Sequence, residues 1–510
     1  MAGPDLPASP RWVKLLDQDR CIGCHACTTA CKSENEVPVG VTRTYVKSVD
    51  VGVFPQARRV FQVTRCNQCE DAPCVAACPT QAMFRREDGI VDFDKSVCIG
   101  CKACMAACPY DAIFINPEDH SAEKCNMCAH RIDMGLEPAC VTVCPTEAIL
   151  VGDLSDPAAP VTRAIERAAV QVRRPEKQTR PGVYYKGAHQ VTLDPLAARR
   201  PDGGLFAWAT QGPPGAPSVV SGHPGRTTSS AAALLSYDVP HQAPWGWRVS
   251  LYTWTKSIAA GGFAVPVVLA MAGYLSWGNP AARWAAPVLA LAALAVTGAL
   301  LIADLKHPGR FYLIFTRPHW RSWLVRGSFI LGGYGGVITA YLIAALAGGT
   351  GPRPVLAGIG LPLAVATACY TAFLFAQAKG RDLWQSPLLA PHLAAAAGLA
   401  GAAAILPLLT WLAPGRAVTA AEGVLAVAAG LHVVLAMAEV TLPHPTAHAH
   451  LAVTELTRGR RARLFWPGLA AVAVAVAAPW IGVTAAGFAL AGLLAHEHAY
   501  IQAAQSVPLA

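Results

Sequence analysis

Four groups of four cysteines, all within the first 150 residues, constrain this chain more than any other feature. They are Cys21, Cys24, Cys27 and Cys31; Cys66, Cys69, Cys74 and Cys78; Cys98, Cys101, Cys104 and Cys108; and Cys125, Cys128, Cys140 and Cys144. Together they account for sixteen of the 17 cysteines. A disulfide framework belongs to small secreted domains. This chain has 510 residues, and Met1 to Leu16 shows neither the apolar core nor the paired arginines of an export signal. Zinc sites pair C-x2-C units across longer gaps. Neither scheme produces C-x2-C-x2-C-x3-C.

That spacing, closed by proline, is the one that wraps [4Fe–4S] clusters in bacterial ferredoxins. Three close thiolates hold one corner of a cubane, and the fourth points toward a companion cluster. The third group fits in full, ending in Cys108-Pro109. The first has Lys32 in place of the proline. The second widens its middle gap to Glu70–Pro73, and the fourth to Ala129–Ala139. A weak internal repeat runs through Cys74-Val-Ala-Ala-Cys78-Pro, Cys104-Met-Ala-Ala-Cys108-Pro and Cys140-Val-Thr-Val-Cys144-Pro. Each copy reads as a short helix, then Cys-Pro, then a strand, at Met83-Phe84, Ile113 to Ile115 and Ile149 to Val151. Ile90 to Phe93 reads as a further strand before the third group. The expected fold is an α+β double ferredoxin-like domain over residues 1–200, with a Pro/Gly-rich linker over 201–247.

This cysteine block resembles the four-cluster iron–sulfur subunits of dimethyl-sulfoxide-reductase-type molybdenum enzymes, over roughly residues 10 to 200. The resemblance implies that the first and fourth groups share two clusters, and the second and third the other two. The implied ligand sets are Cys21, Cys24, Cys27 with Cys144; Cys125, Cys128, Cys140 with Cys31; Cys66, Cys69, Cys74 with Cys108; and Cys98, Cys101, Cys104 with Cys78. No group has lost a cysteine, so four cubanes are expected. Nothing in the block reads as a substrate pocket or a nucleophile–base pair. Lys102 and Lys124 stand beside cysteines and could raise a cluster's potential, but solvated surface lysines are the plainer reading.

Residues 152–247 are rich in Pro, Gly and Arg, and read as extended chain packed on the cluster domain. Gly212 to Ser230 reads as flexible linker, with Tyr184-Tyr185-Lys186 and Leu205 to Trp208 as anchors. The net charge of +9 does not point to nucleic acid. The basic runs lack regular spacing and interleaved aromatics, and many basic residues sit in short loops between apolar runs.

Residues 248–510 read as an all-α transmembrane bundle of eight helices, at about 252–276, 284–304, 322–347, 355–378, 388–412, 418–441, 464–480 and 482–503. Loops on the side of the N-terminus hold Lys306, Arg310, Arg317, Arg321, Lys379, Arg381, Arg458, Arg460, Arg461 and Arg463, whereas the opposite loops hold Arg283, Arg353 and Arg416. The excess of basic residues predicts a multi-pass protein of the plasma (inner) membrane with its cysteine domain in the cytoplasm.

Ionisable groups inside spans are costly and suggest function. Tyr252 and Lys256 fall in the first turns of the first span; Asp304 ends the second, with His307 and Arg310 following. Asp304-Leu-Lys-His-Pro-Gly-Arg-Phe311 with Ser322-Trp323, and Trp247 and Tyr252 through Gly261-Gly262, resemble polysulfide-reductase-type quinone-binding anchors. Lys256 departs from that pattern, where a small or apolar residue is usual. The resemblance implies a quinone site (menaquinone or ubiquinone) near the membrane surface, and an anchor without haem. His432 in the sixth span and His392 at the start of the fifth read as lying at unmatched depths, which also argues against haem ligation.

The chain is therefore expected to pass electrons between a separate molybdopterin catalytic subunit and the membrane quinone pool, the chain itself not acting on the primary substrate. Sulfite or another sulfur compound is one candidate for that substrate. A redox-linked proton-translocating module would need a polar path to the far side, which only Glu422 and His432 offer. A membrane-tethered ferredoxin-like donor would not need eight spans.

Overall fold

The computed structural model describes residues 10–53, 55–199, 233–348 and 351–510. The linker at Gly212 to Ser230 and the anchor at Leu205 to Trp208 lie outside the described residues. The chain divides into two compact units: Met1–Pro244 with Ala378–Gly380 and Val507–Ala510, and Trp245–Gln377 with Arg381–Ser506.

The first unit is built of short elements. In order they are β1 (Trp12–Asp17), α1 (Ala26–Glu34), β2 (Thr44–Val51), β3 (Arg58–Arg65), α2 (Pro73–Ala77), β4 (Met83–Arg85), β5 (Val91–Phe93), α3 (Ala103–Ala107), β6 (Ile113–Ile115), β7 (Ala122–Lys124), α4 (Ala129–Ile132), α5 (Ala139–Thr142), β8 (Ile149–Asp153), α6 (Pro160–Arg167), β9 (Val170–Gln171), β10 (Val183–Lys186), α7 (Gln190–Leu193) and β11 (Ala233–Tyr237). The helix–Cys-Pro–strand repeat appears as α2 and β4, α3 and β6, and α5 and β8. Two antiparallel ribbons, β4–β5 and β6–β7, follow the second and third cysteine groups. A four-stranded sheet runs β8-β1-β10-β9, and a three-stranded one β11-β2-β3. Alternation along β1 places Val13 and Leu15 against Val161, while Leu16 packs with Ile149, Val183 and Tyr185.

Residues 152–199 are not merely extended chain. The strand β10 pairs parallel with β1, with Leu16 opposite Tyr185. Tyr185 is fully buried. The helix α6 closes on β8 so tightly that a Cβ at Gly152 would meet Val161 Cγ1 at 2.8 Å.

The second unit is helical: α8 (Trp247–Met271), α9 (Ala286–Asp304), α10 (Leu313–Thr316), α11 (Trp323–Leu346), α12 (Pro352–Ala376), α13 (Leu389–Leu412), α14 (Arg416–Thr441), α15 (Ala447–Thr457), α16 (Ala462–Val474), α17 (Ala478–Ile481) and α18 (Thr484–Ser506). Among the described residues, seven stretches are long and apolar enough to cross a membrane: Trp247–Met271, Ala281–Asp304, Trp323–Leu346, Pro352–Ala376, Leu389–Leu412, Arg416–Thr441 and Ala462–Ile481. The eighth expected span is the 23-residue helix α18, whose apolar run is interrupted by His496, Glu497 and His498. The short helix α15, which no apolar run announced, precedes α16.

The helices α8 and α13 form the centre, with 78% and 67% of their most apolar windows buried. They touch backbone to backbone. A Cβ on Gly261 would overlap the Ala397 carbonyl, and one on Gly401 would overlap Gly261. A second close crossing joins α16 and α18, where a Cβ on Gly468 would stand 2.9 Å from the Gly492 carbonyl oxygen. Small residues allow such approach in a bundle that lipid does not squeeze together.

Candidate functional site

The cysteine loops owe their shape to residues with positive φ. In the first and third groups Gly23 (+70°) and Gly100 (+67°) are followed two residues on by His25 (+61°) and Lys102 (+62°). His25 and Lys102 stand directly before α1 and α3. At Gly23 a Cβ would meet Cδ1 of Phe61 at 2.5 Å, so a side chain is excluded there as well. The same turn at both places bends the chain around its sulfurs. Backbone N–H groups then donate to those sulfurs: Met83 to Cys78 Sγ (3.3 Å), Ala122 to Cys98 Sγ (3.5 Å) and Ala148 to Cys144 Sγ (3.2 Å).

All sixteen cysteines are free thiols, most of them buried, with Cys24 exposed and Cys21, Cys101 and Cys144 half-buried. Thiols of the first and fourth groups lie near one another, as do those of the second and third. Cys21 has Cys144 and Cys24 as charged neighbours, and Cys27 has Cys21 and Cys24 besides Cys140. Burial pushes the Cys31 thiol up to about 12, and Cys125, Cys140 and Cys128 add to the push. Cys74 is surrounded by Cys66, Cys108 and Cys69, and Cys104 by Cys101, Cys78 and Cys98. Neighbouring cysteines deprotonated together in such buried surroundings would repel one another as thiolates. A bound metal centre holds them as thiolates and supplies the compensating positive charge.

Two buried cations favour the same conclusion. Lys14 Nζ lies 3.6 Å and Arg65 Nη1 3.2 Å from Cys140 Sγ, both side chains about 1% exposed. Against the desolvation of burial, they bring the Cys140 thiol down to about 7. The Nε and Nη2 of Arg65 have no acceptor among the described residues. Inorganic sulfides of a cluster held by Cys31, Cys125, Cys128 and Cys140 would supply acceptors. The residues present thus fit [4Fe–4S] ligation. Lys124 is not a surface lysine: it is fully buried, and its Nζ donates to the carbonyls of Val91 and Cys125. The strand β7 carries it inward, where it lies electrostatically next to Cys66 and Cys74. Lys102 is half-buried.

In the helical unit, Tyr252 and Lys256 lie one turn apart on α8, both buried. Lys256 Nζ donates to the Ala368 carbonyl and to Thr371 Oγ1, each at 2.7 Å, and sits 5.0 Å above the Tyr370 ring. Asp304, at the end of α9, is an electrostatic neighbour of Tyr252, and Glu497 of both Tyr252 and Lys256. His307 and Arg310 fall in the half-buried connection after α9. Sequence reasoning missed Thr371, Tyr370 and Thr253; the last donates to Glu497 Oε2 at 2.9 Å. Hydroxyls and aromatics inside apolar runs give no signal until the helices pack.

The expectation that His392 and His432 sit at unmatched depths is corrected. His392 Nε2 lies 3.1 Å from His432 Nδ1, and His392 Nδ1 lies 3.1 Å from Glu439 Oε2. His432 and Glu439 are seven residues apart on one face of α14, roughly two turns or 10 Å, and the His392 ring bridges between them. His496 packs against both imidazoles. It lies at the middle of α18.

Comparison with known proteins assigns the two units separately. The model of the family described as polysulphide reductase, NrfD, matches residues 237–508. The chain therefore belongs to this family. Its membrane helices are thus NrfD helices, and ahead of them the models of a 4Fe-4S dicluster domain and a 4Fe-4S binding domain match residues 57–154 and 12–33. The chain is an iron–sulfur protein joined to an NrfD-type multi-pass membrane region. Its cysteine unit is similar to the B component of the tetrathionate reductase of Salmonella typhimurium, 43% identical over 193 residues, covering 37% of this chain and 77% of the relative. The B component of the polysulfide reductase of Wolinella succinogenes is 42% identical over 175 residues, or 33% of this chain and 91% of the relative. The thiosulfate reductase electron transfer subunit PhsB of Salmonella typhi is 49% identical over 149 residues, or 29% of this chain and 78% of the relative. In this NrfD chain the two parts are one polypeptide.

Proposed function

We propose that this chain carries electrons between a separate molybdopterin catalytic subunit and the membrane quinone pool, in the plasma membrane and with its cysteine unit in the cytoplasm. The observation that carries the reading is the joining, on one chain, of an iron–sulfur unit with sixteen gathered thiols to an NrfD unit with buried ionisable groups near its helix ends. The reductase subunits it resembles support a catalytic partner.

Four clusters would be held by Cys21, Cys24, Cys27 and Cys144; Cys31, Cys125, Cys128 and Cys140; Cys66, Cys69, Cys74 and Cys108; and Cys78, Cys98, Cys101 and Cys104. When bound, such clusters supply one-electron steps over a wide range of potentials. The protein's part is to set those potentials. Arg65 and Lys14 place positive charge beside Cys140, and backbone N–H groups stabilise the sulfurs. In the membrane unit, read as eight crossings with α18 the last, Tyr252, Lys256 and Asp304 with His307 and Arg310 form the quinone end. Lys256 and Tyr252 are placed to hold quinone oxygens, and Asp304 to exchange protons. The basic loops from Lys306 to Arg321 and from Arg458 to Arg463 support a cytoplasmic placement of the cysteine unit.

The test is purification in mild detergent. A companion polypeptide that yields oxidised pterin on denaturation supports the reading. A companion without pterin, or a chain that purifies alone with full quinone turnover on a substrate of its own, overturns it.

A further inference from the structure

Three histidines from three helices meet inside the helical unit: His392 on α13, His432 on α14 and His496 on α18. One ligand nitrogen from each lies within 4.8 Å of the others, and all three side chains are buried. The site borders a cavity of about 30 Å³ lined also by Thr253, Glu497 and Tyr500.

Several buried polar atoms here have no hydrogen-bond partner among the described residues: His432 Nε2, both ring nitrogens of His496, Glu439 Oε1 and Glu497 Oε1. Leaving such groups unpaired in an apolar bundle is costly. Two buried carboxylates, Glu439 and Glu497, face three imidazoles and the single ammonium of Lys256. With Lys256 protonated these groups sum to one net negative charge, which a bound cation would offset.

We propose that His392, His432 and His496 bind one divalent transition-metal ion of the zinc class. Imidazole suits such ions, and three histidines with an open fourth position are a recurrent zinc environment. The geometry agrees. Ligand nitrogens at about 2.0–2.1 Å from a tetrahedral ion lie roughly 3.3 Å apart, and His392 Nε2 and His432 Nδ1 are 3.1 Å apart. His392 turns its other nitrogen to Glu439 Oε2 at 3.1 Å, the carboxylate–histidine pairing that orients a metal-bound imidazole. The adjoining cavity leaves room for a water to complete the shell. The ion fastens α13, α14 and α18 together beside Lys256.

The test uses Zn²⁺ and the full chain in mild detergent. After incubation with zinc and removal of loose metal by a weak chelator, zinc and iron are counted by mass spectrometry on the same sample. The expected result is about one zinc per chain. His432→Ala and His496→Ala should each lose it with iron unchanged, and Glu439→Gln should weaken retention by about 10–100-fold. Zinc absent from the loaded wild type, or retained equally by all three variants, overturns the proposal. Where a variant also loses iron, X-ray absorption at the zinc edge of the wild type decides. Nitrogen ligands at about 2.0–2.1 Å support the site, and sulfur ligands at about 2.3 Å, meaning capture by the cysteines, overturn it.

Discussion

Arg65 donates a hydrogen bond to the Sγ of Cys140 at 3.2 Å while its guanidinium is almost wholly buried. The same side chain is an electrostatic neighbour of Cys21, Cys27, Cys31 and Cys125. It stands between two of the proposed ligand sets. Reduction adds negative charge to a cluster, so a buried cation favours the reduced form. At ~8 Å and an effective dielectric of ~20 the interaction is about 2 kcal/mol. That corresponds to roughly 90 mV for a one-electron couple. Arg65→Met should therefore lower at least one cluster potential by about 50–100 mV in a titration followed by electron paramagnetic resonance. Unshifted potentials would show that Arg65 does not tune a cluster.

Lys256 is the one lysine in α8 and is held by two acceptors on α12. Lys256→Met should leave cluster spectra unchanged and lower quinone turnover at least tenfold, since a hydrogen bond to a charged group is worth about 1.5–3 kcal/mol. Asp304→Asn should act in the same direction by removing the carboxylate proposed to exchange protons. Turnover equal to wild type in both variants removes these residues from the quinone end.

His241 sits between Asp111, at 2.6 Å, and Asp238, at 3.1 Å. Burial alone would lower its pKa, but the two carboxylates raise it to about 9. Because the folded value exceeds the ordinary 6.5, the pairing contributes fully below about pH 6.5 and is lost as pH rises through about 9. Its size is on the order of 3 kcal/mol. The thermal transition of the cysteine unit should fall between pH 7 and pH 10 in the wild type. His241→Gln should flatten that fall; a slope the variant shares with the wild type counts against the assignment.

Gly401 and Gly261 let α13 and α8 touch through their backbones. Gly401→Val should destabilise the helical unit by several kcal/mol, beyond the usual 1–3 for overpacking, because backbone must move on both sides. Gly430 on α14 has nothing within 4 Å of a built Cβ, so Gly430→Ala should be neutral or stabilise by up to ~1 kcal/mol. Thermal unfolding in one detergent compares the pair. Equal effects would mean the crossing is looser than described.

The cysteine unit was largely legible, because thiolate spacing fixes which residues must turn inward. The helix–Cys-Pro–strand repeat reappears at Met83, Ile113 and Ile149. Lys14, Arg65 and Lys124 were not legible as inward-facing. Lys14 lies on a strand whose pairing partners, β8 and β10, are far away in sequence, whereas Arg65 and Lys124 end strands of local hairpins and turn inward only through the packing around them. In the helical unit the apolar runs located the spans to within a few residues. What they could not show is depth. His392, His432 and His496 come from helices whose long side chains bridge two turns, a relation that exists only after packing. The close crossing at Gly261 left only glycine as its trace.

The central claim is that one chain connects its clusters to quinone. The most direct measurement is an anaerobic titration of the dithionite-reduced, purified chain with a short-chain quinone, read through the cluster signals. The four proposed one-electron centres predict that about four electron equivalents pass to about two quinones per chain, with all cluster signals reoxidised. Clusters that stay reduced in the presence of excess quinone, with iron and sulfide intact, would contradict the account.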